Sequence, residues 1–270
     1  MTLSTIRNNP AKQKKVKTKK QKAIAATCAV AFWLLVWHVV SLCVGSEIVL
    51  VSPVKVVQTL FTVIFDPDFL KTVWYSAARI LGGFFTALTL GTVLGWVASR
   101  FWVVETLLRP ITAVIKATPV ASFIILVLLW FSGKNLSVII SMLMVFPVIY
   151  MNVLEGIRSA DEKLLEMAQV FRLSVGKKLL YIYLPAVAPF FVSACSVSLG
   201  LCWKSGIAAE VIGTPDGSIG AVFYQAKIFL QTSELLAWTV VVVAVSVAFE
   251  KLFMLLLRLI LKKLKMYKML

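Results

Sequence analysis

The sequence predicts an all-α integral membrane protein of six transmembrane helices with both termini on the cytoplasmic side. Three observations carry this. Hydrophobic residues make up 60% of the 270 positions and charged residues 15%, with a mean hydropathy of +0.92; a soluble domain holds about 45–50% apolar and about 25% charged residues. Apolar runs of about 20 residues recur along the chain, the length that crosses a bilayer core. The basic residues are unevenly shared between alternate connections.

Residues 1–22 form a basic tail with eight of the 28 Lys and Arg residues, and 23–260 the membrane domain. The first span is expected over 23–45. It is longer than the 7–15-residue core of a cleaved signal peptide, and no small-residue cleavage site follows. His38, the only histidine, has no acidic neighbour at helical spacing, so packing or a backbone hydrogen bond is its expected role. In 46–76, Pro53 and Asp66-Pro67-Asp68 signal turns, and Val56, Val57, Leu60, Phe61 and Ile64 recur at helical spacing. That segment is expected along the outer interface.

The second span is expected over 78–99, where Gly91 and Gly95 stand four apart and permit close helix approach. Pro110 and Pro119 break the next stretch into a short interfacial helix and a third span over 116–132. The fourth, 136–154, carries Pro147. A polar loop, 155–185, leads to a fifth span over 186–209, rich in Ala, Ser and Gly. The run Gly213-Thr214-Pro215-Asp216-Gly217 marks a turn in the polar stretch 210–234. The sixth span, 235–256, runs into a basic tail, 261–270.

With the N-terminus inside, 19 basic residues fall in cytoplasmic segments and four (Lys55, Lys71, Lys134, Lys227) outside. Blocks of Lys and Arg flanking spans are drawn to anionic membrane lipid, which accounts for the net charge of +16 without nucleic acid. Cys28, Cys43, Cys195 and Cys202 lie in apolar stretches with no C-x-x-C pair, so they read as small buried hydrophobes rather than a disulfide or zinc framework. No phosphate-binding G-x-x-x-x-G-K-[ST] loop is present. The composition offers neither a catalytic triad nor a metal cluster, so no enzymatic activity and no cofactor is expected.

Within the polar loop, Asp161–Val170 has the pattern of a short amphipathic helix, with Leu164, Leu165, Ala168 and Phe171 at helical spacing. Asp161, Glu162 and Glu166 lie toward its N-terminus, where they suit the helix dipole. Such a helix, fixed between two spans, can dock in a groove of a soluble partner; on periodicity alone a solvated interfacial helix with no partner is the favoured reading.

The spacing from Glu166 and Ala168 to Ile182, Leu184 and Pro185 resembles the cytoplasmic loop of ABC importer permeases, Glu-Ala-Ala, three residues, Gly, nine residues, Ile-x-Leu-Pro. Met167 stands for the second Ala and Arg172 for the Gly. The likeness continues through Ser76-Ala77-Ala78-Arg79, Pro119-Val120-Ala121, Glu155-Gly156-Ile157-Arg158, Ala209-Glu210-Val211-Ile212-Gly213 and Gly217-Ser218-Ile219-Gly220. This set resembles the nitrate/sulfonate/taurine-type branch. It implies a type I ABC importer permease fold. It also implies partnership with ATP-binding cassette subunits, an extracytoplasmic solute-binding protein and a second permease copy in the bacterial inner membrane.

By the same resemblance Glu166, Met167, Ala168, Phe171, Arg172, Gly176, Leu184 and Pro185 form the ATPase-coupling segment. With Arg172 in place of Gly, the chain turns later, at Gly176, or Arg172 reaches an acidic patch on the partner. For the translocation path, intramembrane charge points to Lys204, with Trp203 and Ser205 beside it, and to Lys116. Snorkelling to the interface is the alternative for Lys204, and an outer-face contact is expected of Glu210. An ion-coupled secondary transporter is the other function class, but its inverted repeat and intramembrane acidic residues are not evident.

Overall fold

A computed structural model describes the backbone of residues 19–263 and the side chains of residues 24–263. Most of the expected N-terminal tail and the last seven residues lie outside that range. The chain divides into two units, Met1–Val54 and Lys55–Leu270.

In the first unit, α1 spans Lys19–Val44 and ends at Gly45, whose φ of +62° is left-handed. Cys28 and Cys43 are exposed on it, contrary to the expected burial. Of the two roles expected of His38, packing or a backbone hydrogen bond, no hydrogen bond is made through Nδ1 among the described residues.

The second unit is helical throughout its described residues. The helix α2 (Pro53–Ile64) begins at the unit boundary, and α3 (Phe69–Arg100) follows it after one turn. Then come α4 (Trp102–Ala117), α5 (Val120–Leu128), α6 (Gly133–Arg158), α7 (Glu162–Val170) and α8 (Val175–Lys178). A π-helical segment, Leu179–Tyr183, leads into α9 (Leu184–Gly213), and α10 (Ile219–Ile228) and α11 (Thr232–Lys263) complete the order.

Helix α3 begins nine residues before the expected second span. The turn is made by Asp66, whose Oδ1 accepts from the Asp68 amide at 2.8 Å. Polar residues near its start are satisfied inside the helix: Ser76 is hydrogen-bonded and Arg79 lies 4.5 Å over the Tyr75 ring. In α2, Val56 and Val63 face inward while Val57, Phe61 and Ile64 are exposed.

The expected third span, 116–132, is not one helix. Helices α4 and α5 meet at Thr118-Pro119 with a bend of 105°, because Pro119 removes a backbone donor and holds Thr118 extended. The nine residues of α5 rise about 14 Å, half a bilayer core. Five helices of the described chain are long and apolar enough to cross a membrane, and the bent pair is a sixth only as one broken span. Pro110 and Pro147, by contrast, lie inside α4 and α6 without ending them.

The centre of the unit is a three-helix contact of α3, α6 and α9. Ile80 and Phe84, Val145 and Ile149, and Leu199 and Trp203 are fully or nearly fully buried in one cluster. Glycine decides how closely these helices approach. A methyl on Gly91 or Gly95 would stand 3.0 Å from Ile149 or Val153 of α6, and one on Gly206 would overlap Ile80 and Ser141. In lipid, such packing supplies the association that hydrophobicity cannot.

Candidate functional site

The residues singled out by the sequence fall in three places. At one end of the bundle, α7 sits between α6 and α9. Asp161 caps it, its side chain accepting from the Lys163 amide at 2.9 Å. Its inner face is fixed by Ala168, which is fully buried with Ala160 and Ile182 and backed by Leu165 and Leu173. Its other face presents Leu164, Met167 and Phe171, at 42%, 45% and 72% exposure, with Glu166 also exposed. The expected face therefore divides: Ala168 and Leu165 hold the helix to its own chain, and Leu164, Met167 and Phe171 remain free of it.

The chain turns at Arg172, not at Gly176. Arg172 has φ +49°, its amide donates to the Gln169 carbonyl at 3.0 Å, and the Leu173 amide donates to the Ala168 carbonyl at 2.9 Å. This is a Schellman C-cap, with Arg172 at the position glycine normally takes. Gly176 lies in α8 with no contact that a side chain would disturb. Beyond it, Pro185 has no amide to donate. The helix widens to a π turn just before it, where the Leu184 amide donates to the Leu179 carbonyl. Leu184 and Pro185 thus open α9, which with the preceding segments makes one apolar helical run, Val175–Gly213.

The second place is the basic residues along the helices. Lys116, near the end of α4, is exposed and donates to Met151 Sδ on α6 at 3.5 Å. Lys204 is exposed on α9, whereas its neighbours Trp203 and Ser205 are 1% and 3% exposed in the core. The Ser205 hydroxyl bonds the Leu201 carbonyl of its own helix at 2.9 Å. Lys204 and the two residues flanking it therefore face different ways.

The third place, at the opposite end of α9, was not recognised as a site in the sequence. Glu210 is completely buried. Its Oε2 accepts from Ser76 Oγ at 2.6 Å and from the Gly220 amide at 3.4 Å, and Ser76 Oγ in turn accepts from the Ile219 amide at 2.9 Å. A carboxyl from α9 and a hydroxyl from α3 thus close over the first turn of α10, where backbone amides are otherwise unpaired. Ser218 completes that cap, accepting from Ala221 at 3.0 Å. The expected outer-face contact of Glu210 is instead an internal clasp. The signal available in the sequence was an acidic residue among small ones, followed eight residues on by Ser218-Ile219-Gly220.

Comparison with known proteins gives these positions a context. The sequence model of the family described as "binding-protein-dependent transport system inner membrane component" matches residues 87–266. The chain is 29% identical over 216 residues to the Bacillus subtilis (strain 168) permease SsuC, named for aliphatic sulfonates transport, covering 79% of this chain and 78% of that one. It is 26% identical over 220 residues to the taurine transport system permease protein TauC of Escherichia coli (strain K12), covering 79% and 80%. It is 25% identical over 214 residues to the nitrate import permease protein NrtB of a Synechocystis strain, covering 75% and 76%. A crystal structure of an amino acid ABC transporter aligns with a TM-score of 0.51 at 16% identity, over 72% of this chain and 96% of the other, which shows a shared fold.

Proposed function

The chain belongs to the family of binding-protein-dependent transport system inner membrane components, and on that premise we propose that it is the permease subunit of an ATP-driven importer for a small anion. The carrying observation is α7, held to its own chain by Ala168 while Met167, Phe171 and Glu166 stay exposed on a helix within the matched region. A short rigid helix presenting two large apolar side chains beside a carboxylate suits a groove on a soluble partner. In this reading the partner is an ATP-binding cassette ATPase, and Glu166, Met167, Phe171 and Arg172 meet it. Ala168, Leu184, Pro185 and the turn through Gly176 fix the angle at which they do so.

Two permease copies and two ATPases form the transporter, and an extracytoplasmic binding protein delivers the solute. Closure of the ATPases on ATP draws the docking helices together and turns the path outward; hydrolysis resets it. The continuous run Val175–Gly213 makes α9 the member that carries this movement from α7 to the far end. Relatives named for sulfonates, taurine and nitrate support this class of solute. Lys116 and Lys204 supply positive charge along the path, with Trp203 and Ser205 setting the position of α9 behind Lys204.

The test is affinity purification of the full-length chain in mild detergent. A nucleotide-binding subunit should co-purify, and its ATPase activity should depend on the chain. A chain that purifies alone and still mediates uptake would be a secondary transporter, and the proposal would fail.

A further inference from the structure

An open, groove-like cavity of about 410 Å³ lies between α4 and α6, lined by Arg109, Thr112, Ala113, Lys116, Ala117 and Met151, of which only Thr112 is buried. Its size is within the roughly 300–1,000 Å³ range of small-molecule sites. Arg109 and Lys116 stand seven residues apart, two turns along one face of α4. No acidic residue lines the cavity, and among the described residues neither cation forms an ion pair. The nearest carboxylate on α4, Glu105, is paired with Arg158. Lys116 has a thioether for a partner, and sulfur there is a weak acceptor.

Lys116 reaches the cavity from the last turn of α4 and Met151 from the second half of α6. A cation on a membrane helix is unfavourable unless it faces water or an anion. A second cavity, about 450 Å³ between α9 and α11, is different. Its Lys251 and Arg258 share it with Glu250, which Ser196 holds at 2.8 Å. That cavity carries its own counter-charge, and the α4–α6 cavity does not. Lys204 lines neither.

We propose that the α4–α6 cavity is an anion-binding waypoint on the translocation path, where Arg109 and Lys116 together hold a small oxyanion of the sulfonate, nitrate or carboxylate class. The assignment rests on the importer reading above and adds Arg109 to it. The guanidinium offers a planar pair of donors to two oxygens, and the ammonium a compact charge about 10 Å along the helix. The Thr112 hydroxyl is already committed to the Leu108 and Arg109 carbonyls at 3.0 Å. Recognition is thus by charge rather than by a shaped ring of polar groups, so planar and tetrahedral oxyanions are both accepted.

The test places a thiol in the cavity of the full-length chain, as Ala113→Cys in a Cys28→Ser/Cys43→Ser background, assayed in membrane vesicles of both orientations. Methanethiosulfonate reagents ending in a sulfonate and in a trimethylammonium are compared, each rate divided by that with a free thiol in solution. The normalised sulfonate rate should exceed the ammonium rate at least tenfold. Arg109→Gln with Lys116→Met should bring the ratio to about one, and Arg109→Lys with Lys116→Arg should restore it. A ratio of one or below in the parent, a ratio unmoved by the neutral pair, or no labelling by either reagent would overturn the site. Co-purification of the nucleotide-binding subunit is read on the same membranes. Loss of anion preference in a chain that still brings down its ATPase rejects the waypoint alone, whereas a chain without any ATPase rejects the importer reading.

Discussion

Ser76 and Glu210, 134 residues apart, are joined by a 2.6 Å hydrogen bond inside the protein, and through it α3, α9 and the first turn of α10 are held at one point. The bond matters because each partner has a second task. Ser76 accepts the Ile219 amide and Glu210 the Gly220 amide, so loss of either side chain leaves a buried backbone donor unpaired.

Glu210→Ala should therefore destabilise the chain by on the order of 2–3 kcal/mol, and Ser76→Ala by about 1–3 kcal/mol. Glu210→Gln, which keeps an acceptor oxygen, should lose about 1 kcal/mol. Thermal midpoints in detergent give the order. Equal losses for Gln and Ala would show that the charge, not the hydrogen-bond geometry, sustains the clasp.

Glycine at the same point is a matter of space. A methyl on Gly220 would overlap the Glu210 backbone, and one on Gly133 the Gly213 carbonyl, whereas Gly200 and Gly82 have nothing within 4 Å. Gly220→Ala and Gly133→Ala should reduce the yield of folded chain severely, and Gly200→Ala should leave it unchanged or slightly raised, since alanine favours helix by about 1 kcal/mol. Size-exclusion profiles of the three variants would decide this.

Arg172 is a position where the preferred residue is absent. A non-glycine residue in the left-handed region costs about 1 kcal/mol, so Arg172→Gly should stabilise the C-terminus of α7 by about that amount. Slower amide exchange at Leu173 is the measurement. If the arginine also pairs with an acidic patch on the ATPase, the same variant should hold its ATPase less tightly.

The two faces of α7 should separate stability from coupling. Phe171→Ala and Glu166→Lys alter exposed side chains and should leave stability within about 0.5 kcal/mol of wild type. They should nevertheless detach the ATPase or uncouple its hydrolysis from uptake. Ala168→Leu overpacks the inner face and should destabilise by about 1–3 kcal/mol. Normal stimulated hydrolysis in Glu166→Lys would remove that residue from the docking surface.

Lys204→Ala should lower uptake while leaving assembly intact, because the side chain is exposed and its helix is packed by Trp203 and Ser205 on the other side. Unchanged uptake kinetics would take Lys204 off the path and return it to the snorkelling alternative.

Much of the fold was legible because its signals are local. Asp66-Pro67-Asp68 and Gly213–Gly217 stand at turns, Asp161 opens a helix and Pro119 breaks one. Helix ends were read less well. The second span was expected from residue 78, yet α3 begins at Phe69, and the partners that hold Ser76 and Arg79 within it, Glu210 and the Tyr75 ring, could not be seen from local pattern. The α7 segment was found by spacing, but not which of its faces turns inward.

By itself the sequence determined the membrane class, the apolar helical runs, the short helix at the polar loop and the family resemblance. The bend between α4 and α5, the left-handed turn at Arg172, the clasp at Glu210 and the counter-charge-free groove at Arg109 and Lys116 were decided by tertiary structure. In a soluble protein the apolar stripe of a helix shows which side is buried. Here lipid-facing and protein-facing sides are alike in polarity, so small residues, hydrogen bonds and unpaired charges select the contacts, and these act between residues far apart in the chain.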